Sequence, residues 1–207
     1  MPPLTASAVP GPVPRGRRIG LLGGSFNPAH EGHLEISRLA IELLGLDEVW
    51  WLVSPQNPLK PTDGMAPLAE RMAGAEKITK RLPIFVTDVE THLGTRYTTD
   101  TLAGLKQGFP GARFVWLMGA DNLVQMHRWH RWSSIFHMVP VAVFARPTYS
   151  LRAERAKAAR RFARYRIKPH RAAGLADRPA PAWVLFKRPH VPVSATGIRR
   201  RTQAADS

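Results

Sequence analysis

Two histidines three residues apart, His30 and His33, stand in the run Gly23-Gly24-Ser25-Phe26-Asn27-Pro28-Ala29-His30-Glu31-Gly32-His33. An imidazole donates a hydrogen bond when neutral and carries charge when protonated, and it moves between the two near neutral pH. Helical spacing from Glu31 onward sets both rings at the start of a helix, where exposed N–H groups and the helix dipole favour an anion. Phosphate is the guest that suits such a place. Zinc is the rival, since His127 and His130 form a second H-x-x-H pair. The chain has no cysteine and none of the usual zinc-enzyme spacings, so no protein metal site is assigned. No Gly-Lys-Ser/Thr follows the glycines, and the full G-x-G-x-x-G pattern is absent. The plain alternative is a glycine-rich turn with solvated histidines.

Other residues able to do chemistry lie far along the chain. Asp121, after Gly119, can accept from ribose hydroxyls or simply cap a helix. Thr98 or Thr99 can cap the helix that follows them. His127-Arg128-Trp129-His130-Arg131-Trp132 alternates rings with cations, which suits packing on one helix face or a stacking platform for bases. Ser194 and Thr196 precede Arg199 and can offer hydroxyls and N–H groups to an anion. Asn57 and Lys60 lie in a loop that three prolines define.

Elements that could position these groups follow from hydrophobic spacing. Ile19 to Leu22 reads as a buried strand, broken by Gly23-Gly24, where missing Cβ atoms allow a sharp turn or a close ligand. Ile36, Leu39, Ala40 and Leu43 give the next segment one apolar face, with His33 at its N-terminal end. Residues 48–53 read as a second strand, so strand, helix and strand form a right-handed βαβ unit of a parallel sheet. Further strands are expected at 83–87, 112–118, 139–145 and 183–186, and helices at 65–82 and 151–167. The fold class is therefore α/β, a doubly wound parallel sheet of five to six strands in a single domain at 18–207. Residues 1–17 are expected to form a disordered leader. No internal repeat is evident. Ligands of such sheets bind at the carboxyl edge of the strands, which is where Gly23-Gly24 and the proline loop fall.

With 207 residues and a formal charge of +15, the chain is strongly basic. Its partners should be anionic, whether nucleotides, nucleic acid or an anionic membrane surface, and charge alone does not choose among them. Residues 151–167 carry much of this charge and otherwise read as a solvated face. No apolar run reaches membrane-spanning length, and the lack of cysteine fits the cytoplasm. A homo-oligomer is compatible with the sequence.

The run from Gly23 to His33 resembles the G-G-[ST]-F-[DN]-P-x-H-x-G-H motif of nucleotidylyltransferases, and within them the bacterial nicotinate-nucleotide adenylyltransferases. The resemblance extends to Val193-Ser194-Ala195-Thr196-Gly197-Ile198-Arg199, which departs from that family's I-S-S-T-x-I-R at two positions. It implies a Rossmann-like fold and transfer of AMP from ATP, with Mg²⁺ on its phosphates, to nicotinate mononucleotide. His33, His30 and Arg199 would be catalytic. Gly23, Gly24, Ser25, Phe26, Asp121, Ser194 and Thr196 would join them in holding ATP. Asn57, Lys60, Thr98, Trp129 and His130 would hold the pyridine nucleotide, with Trp129 stacked on its ring. Leu59 stands where the family often has histidine. The other readings are a nicotinamide mononucleotide or phosphopantetheine acceptor, or a basic nucleic-acid-binding protein.

Overall fold

The computed structural model describes residues 12–55, 64–145 and 150–187. Among them, seven strands form one sheet: β1 (Arg18–Gly24), β2 (Glu48–Val53), β3 (Ile84–Thr87), β4 (Arg113–Gly119), β5 (Val141–Phe144), β6 (Arg166–Ile167) and β7 (Trp183–Phe186). Their order is β3-β2-β1-β4-β5-β7-β6, and every neighbouring pair is parallel. The sheet has one strand more than the upper expectation. The extra strand is β6, whose two residues lie beside β7 at the edge.

Alternation along the strands divides the core into two layers. Ile19, Leu21, Trp50, Leu52, Trp116, Met118 and Trp183 face one way. Leu22, Val49, Trp51, Val53, Leu117 and Phe144 face the other. Successive side chains of a strand point to opposite faces, so a sheet covered on both sides needs continuous apolar runs. β2 shows this most clearly, since all six of its residues are buried.

Helices supply the covers. On the Trp51 face lie α1 (Glu31–Leu44) and α2 (Leu68–Thr79), through Leu34, Ala40, Leu44 and Ala75. The Trp50 face takes α3 (Val89–Leu93), α4 (Thr98–Gly108), α5 (Ala120–Gln125) and α6 (Trp132–Met138), through Val89, Leu102, Leu105, Leu123 and Phe136. Gly45, in the left-handed conformation at φ 66°, ends α1 and its N–H bonds to the Ile41 carbonyl. Glycine carries no Cβ penalty there.

Three expectations change. The helix over 65–82 contracts to α2, which starts after Pro67 and stops before Arg81, at φ 66°. The helix over 151–167 breaks into α7 (Ser150–Glu154), α8 (Lys157–Arg161), a 3-10 turn (Ala163–Tyr165) and β6. Ala156 leaves the helical region at ψ 147°, and Ala153, Ala156, Ala158 and Phe162 are all buried. The Phe162 carbonyl accepts both the Trp183 indole N–H at 2.8 Å and, within the 3-10 turn, the Tyr165 N–H at 3.0 Å. Burial of small side chains thus outweighs the helical preference of the arginines and alanines. Lastly, part of the expected leader is docked: Val13 packs on the core and the Gly16 N–H reaches the Gly111 carbonyl at 2.7 Å. Residues 1–11 lie outside the described residues.

Candidate active site

The chain runs from β1 outward to β2 and β3, then crosses to β4 on β1's other side. The carboxyl ends of β1 and β4 therefore flank the topological switch point, the crevice where open α/β sheets bind ligands. Two glycine turns meet there. At Gly23 a Cβ would approach the Trp116 ring to 2.7 Å. At Gly119 a Cβ would collide with the Asp121 carboxylate, which folds back over that residue.

After Gly24, Phe26 adopts φ 47°, a left-handed conformation that costs a side-chain-bearing residue about 1–3 kcal/mol. Its ring is fully buried, stacked on Trp51 at 4.8 Å and against His33 at 4.7 Å. Burying such a ring contributes about 1.5–3 kcal/mol, enough to offset the strain. The loop is thereby fixed from beneath.

His30 is the N-cap of α1, and its Nδ1 accepts from the Gly32 N–H at 3.1 Å. In return, His33 Nδ1 accepts from the His30 N–H at 3.2 Å. The rings stack at 3.8 Å between centroids. Because both Nδ1 atoms accept from backbone, the neutral ring that keeps these bonds carries its proton on Nε2. Each imidazole is then a donor through Nε2. His33 is also anchored from below: its carbonyl accepts from the Ser37 hydroxyl at 2.9 Å, and that hydroxyl accepts from the Trp51 indole at 2.8 Å. Two oriented N–H donors over a helix N-terminus can polarise a phosphate and hold charge that grows on it.

Arg71 holds this loop to its neighbour. It is only 4% exposed, and its guanidinium donates to the carbonyls of Ser25 at 2.6 Å, Ser54 at 2.8 Å, Ala66 at 2.9 Å and Pro55 at 3.2 Å. Burial pulls its pKa down from the ordinary value, which marks the desolvation these carbonyls offset. Asn27 adds a second tie, donating to the Gly64 carbonyl at 3.0 Å and accepting from the Ala66 N–H at 3.3 Å. A signal for Arg71 was available: with Leu68, Met72 and Ala75 it occupies the inward stripe of α2, so its side chain had to be met inside.

Across the crevice, Thr98 opens α4 but does not cap it. Tyr97 is the N-cap, and its carbonyl takes the Asp100 and Thr101 N–H groups. The exposed Tyr97 ring stacks on His130 at 4.4 Å, which brings Thr98 and the Trp129–His130 turn together. Trp129 and Trp132 do not share a helix face. Trp129 is extended after a 3-10 turn (Met126–Arg128), Arg131 is left-handed at φ 46°, and α6 starts only at Trp132. Both tryptophans stay partly buried on the core. Trp132 meets Phe162 edge-on, with Arg161 over its ring.

Glu90 lies between these two halves, buried and 8% exposed. It accepts from the Thr101 hydroxyl at 3.4 Å and hydrogen-bonds the Ser54 side chain. Desolvation pushes its carboxyl above the ordinary range, against the two hydroxyl hydrogen bonds, which lower it. Below the ordinary carboxylate pKa, folded and unfolded chains both hold this proton and no penalty exists. As pH rises the unfolded chain ionises first, so a destabilising contribution grows until the folded group ionises as well. Glu90→Gln should therefore raise Tm at about pH 8, with the gain shrinking towards about pH 4. Thermal unfolding across that range checks it; a gain independent of pH contradicts it.

Asn57, Lys60, Ser194, Thr196 and Arg199 lie outside the described residues. Among the described residues, no three His, Cys, Asp or Glu side chains are grouped to hold a metal ion. No helix among them is long and apolar enough to cross a membrane.

Residues 21–201 match the model of the cytidylyltransferase-like family. A Parvibaculum lavamentivorans protein named "Probable nicotinate-nucleotide adenylyltransferase" is 52% identical over 90% of this chain and 92% of its own. A Caulobacter protein of the same name is 52% identical over 89% and 97%. Among solved structures, Plasmodium falciparum nicotinic acid mononucleotide adenylyltransferase complexed with NaAD aligns with a TM-score of 0.67 and 17% identity. That alignment covers 89% of this chain and 83% of the other, a likeness of fold.

Proposed function

Since this chain belongs to the cytidylyltransferase-like family, and within it to the nicotinate-nucleotide adenylyltransferases, we propose that it transfers AMP from ATP to nicotinate mononucleotide, yielding deamido-NAD and pyrophosphate. The observation that carries the reading is the reciprocal pair His30 and His33 at the start of α1, each accepting from backbone through Nδ1 and so carrying its proton on Nε2 when neutral.

The acceptor's own 5′-phosphate oxygen attacks the α-phosphorus, and the bond to the β-phosphate oxygen breaks in line. That nucleophile is anionic at neutral pH, so the protein supplies neither a nucleophile nor a strong base. Its contribution is alignment and stabilisation of charge. In this reading His33 Nε2–H donates to an α-phosphate oxygen, and His30 supports the β- and γ-phosphates. The Ser25 and Phe26 N–H groups line the phosphate path, with Gly23 and Gly24 letting the nucleotide approach. Asp121 accepts from the ribose of ATP. Arg199 holds the β- and γ-phosphates by its planar fork, with Ser194 and Thr196 as further ATP contacts in this reading. The divalent ion, Mg²⁺ in this proposal, enters with ATP as part of the substrate and neutralises the phosphate oxygens.

For the acceptor, Thr98, His130, Asn57 and Lys60 surround the nucleotide while Trp129 stacks on the pyridine. Trp129→Ala should raise the KM for nicotinate mononucleotide about 10-fold, given about 1–3 kcal/mol for a ring stacked on an aromatic side chain, with the ATP KM nearly unchanged. An unchanged acceptor KM in steady-state kinetics speaks against stacking.

Isotope labelling tests the reaction class. Label in the α-phosphate of ATP should appear in the dinucleotide, and γ-label in pyrophosphate. Transfer of the γ-label to the acceptor overturns the proposal.

A further inference from the structure

Two acids are buried among the described residues, Glu48 and Glu90; Glu48 is paired with Arg17, and the reaction as described leaves Glu90 unused. Glu90 forms part of a cleft of about 220 Å³ at the carboxyl edge, shared with Ser54, Pro55, Thr95 and Arg96. Its partners lead in opposite directions. Ser54 follows β2, and its N–H bonds to the Gly24 carbonyl at 2.9 Å, at the start of the histidine loop. Thr101 is fully buried in α4 and shares a 2.9 Å hydroxyl–hydroxyl bond with Thr95. The Thr95 N–H returns to the Glu90 carbonyl at 3.0 Å. Thr95 leads through Arg96 to Tyr97, whose ring lies on His130. One carboxyl thus stands between the phosphate loop and the turn bearing Tyr97, Thr98 and His130.

We propose that Glu90 is a positioning residue that sets the turn carrying Tyr97 and Thr98, and through Tyr97 the His130 ring, against the phosphate loop at Gly24 and Ser54, so that the acceptor nucleotide meets ATP in register. The proposal rests on the adenylyl-transfer reading and deepens it. Covalent connection cannot do this work, because the two loops belong to different βα units. Arg71 ties Ser25 to Ser54 and Pro55 but does not reach α4. A carboxyl suits the position because it accepts from both hydroxyls at once. The Thr101 hydroxyl lies 3.4 Å from Glu90 and 3.3 Å from the Tyr97 carbonyl, so it joins the acid to the backbone of the same turn, while its oxygen can accept from Thr95.

The test compares Glu90→Leu, which keeps bulk and loses both bonds, with Glu90→Gln, which restores hydrogen bonding because either hydroxyl can turn and accept. Glu90→Leu should raise the KM for nicotinate mononucleotide on the order of 10-fold and leave the ATP KM within about 2-fold, as expected for losing two net hydrogen bonds. Glu90→Gln should return the acceptor KM to within about 2-fold of the parent. Equal rises in both KM values, or no change in Glu90→Leu, overturn the proposal. A readout free of turnover accompanies this. The His130 ring proton shifts, moved upfield by Tyr97, should relax in Glu90→Leu and return in Glu90→Gln; identical shifts in all three proteins overturn it. An inactive parent with intact His130 shifts instead counts against the adenylyl-transfer reading. Should Glu90→Leu fail to fold, Ser54→Ala and Thr101→Val replace it. Their combined effect on the acceptor KM should fall short of the product of the single effects, whereas full multiplicativity overturns the proposal.

Discussion

Changing His33 to alanine is expected to lower kcat about 10²–10³-fold while Tm falls by only a few degrees. The first figure is what loss of one oriented donor to a developing oxyanion costs. The second follows from the bond that disappears, from the His30 N–H to His33 Nδ1, at the start of α1. Losing a cap costs about 0.5–2 kcal/mol, and a chain of this size loses about 2–4 °C per kcal/mol. The ring packing against Phe26 adds to that but leaves the separation clear. Steady-state kinetics beside thermal unfolding decide the matter. Wild-type turnover in the variant removes His33 from the reaction, and a collapse of Tm equal to the loss of rate reduces it to a structural role.

The second large effect is expected at Arg71, whose guanidinium is engaged by backbone carbonyls. Arg71→Met removes the donor for four loop carbonyls while keeping an apolar stem of similar length. Each buried acceptor left unpaired costs about 1–3 kcal/mol, and partial access of water to the loops recovers some of it. The expected destabilisation is about 3–5 kcal/mol in urea unfolding, accompanied by a higher ATP KM as the Ser25 loop loosens. Arg71→Lys should recover little. A point-like ammonium with three donors does not reproduce a planar fork that reaches carbonyls on both sides. A lysine variant as stable as the parent contradicts this account of the site.

What could be read from the chain alone depended on how local the cause was. The passage from β1 through the glycine turn into α1 was legible because strand, turn and helix signals follow one another within a single stretch. Strand positions were legible because a sheet covered on both faces demands unbroken apolar runs, and β2 is one. The breaks in 151–167 were not, because they accompany tertiary contacts: Ala153, Ala156 and Ala158 are buried, and beyond α8 the Trp183 indole donates to the Phe162 carbonyl. Two-residue β6 exists only through its pairing with β7. Thr98 was expected to cap α4, yet the adjacent Tyr97 stands at the N-cap through its backbone carbonyl, while its ring lies on His130.

Arg71 and Glu90 show the same limit within the site. Arg71 joins groups 16, 17 and 46 residues away, a convergence that spacing cannot encode. Glu90 reads in isolation as an ordinary charged residue of a short helix, and only the meeting of Ser54 with Thr101 makes it central. The histidines were legible as an anion site. Their tautomers required the two backbone bonds.

Pyrophosphate release, followed with ATP and Mg²⁺ side by side on nicotinate and nicotinamide mononucleotide, tests the central claim most directly. Rapid release with the acid and little with the amide is the expected result. Silence with the acid, in a folded sample that binds ATP, contradicts it.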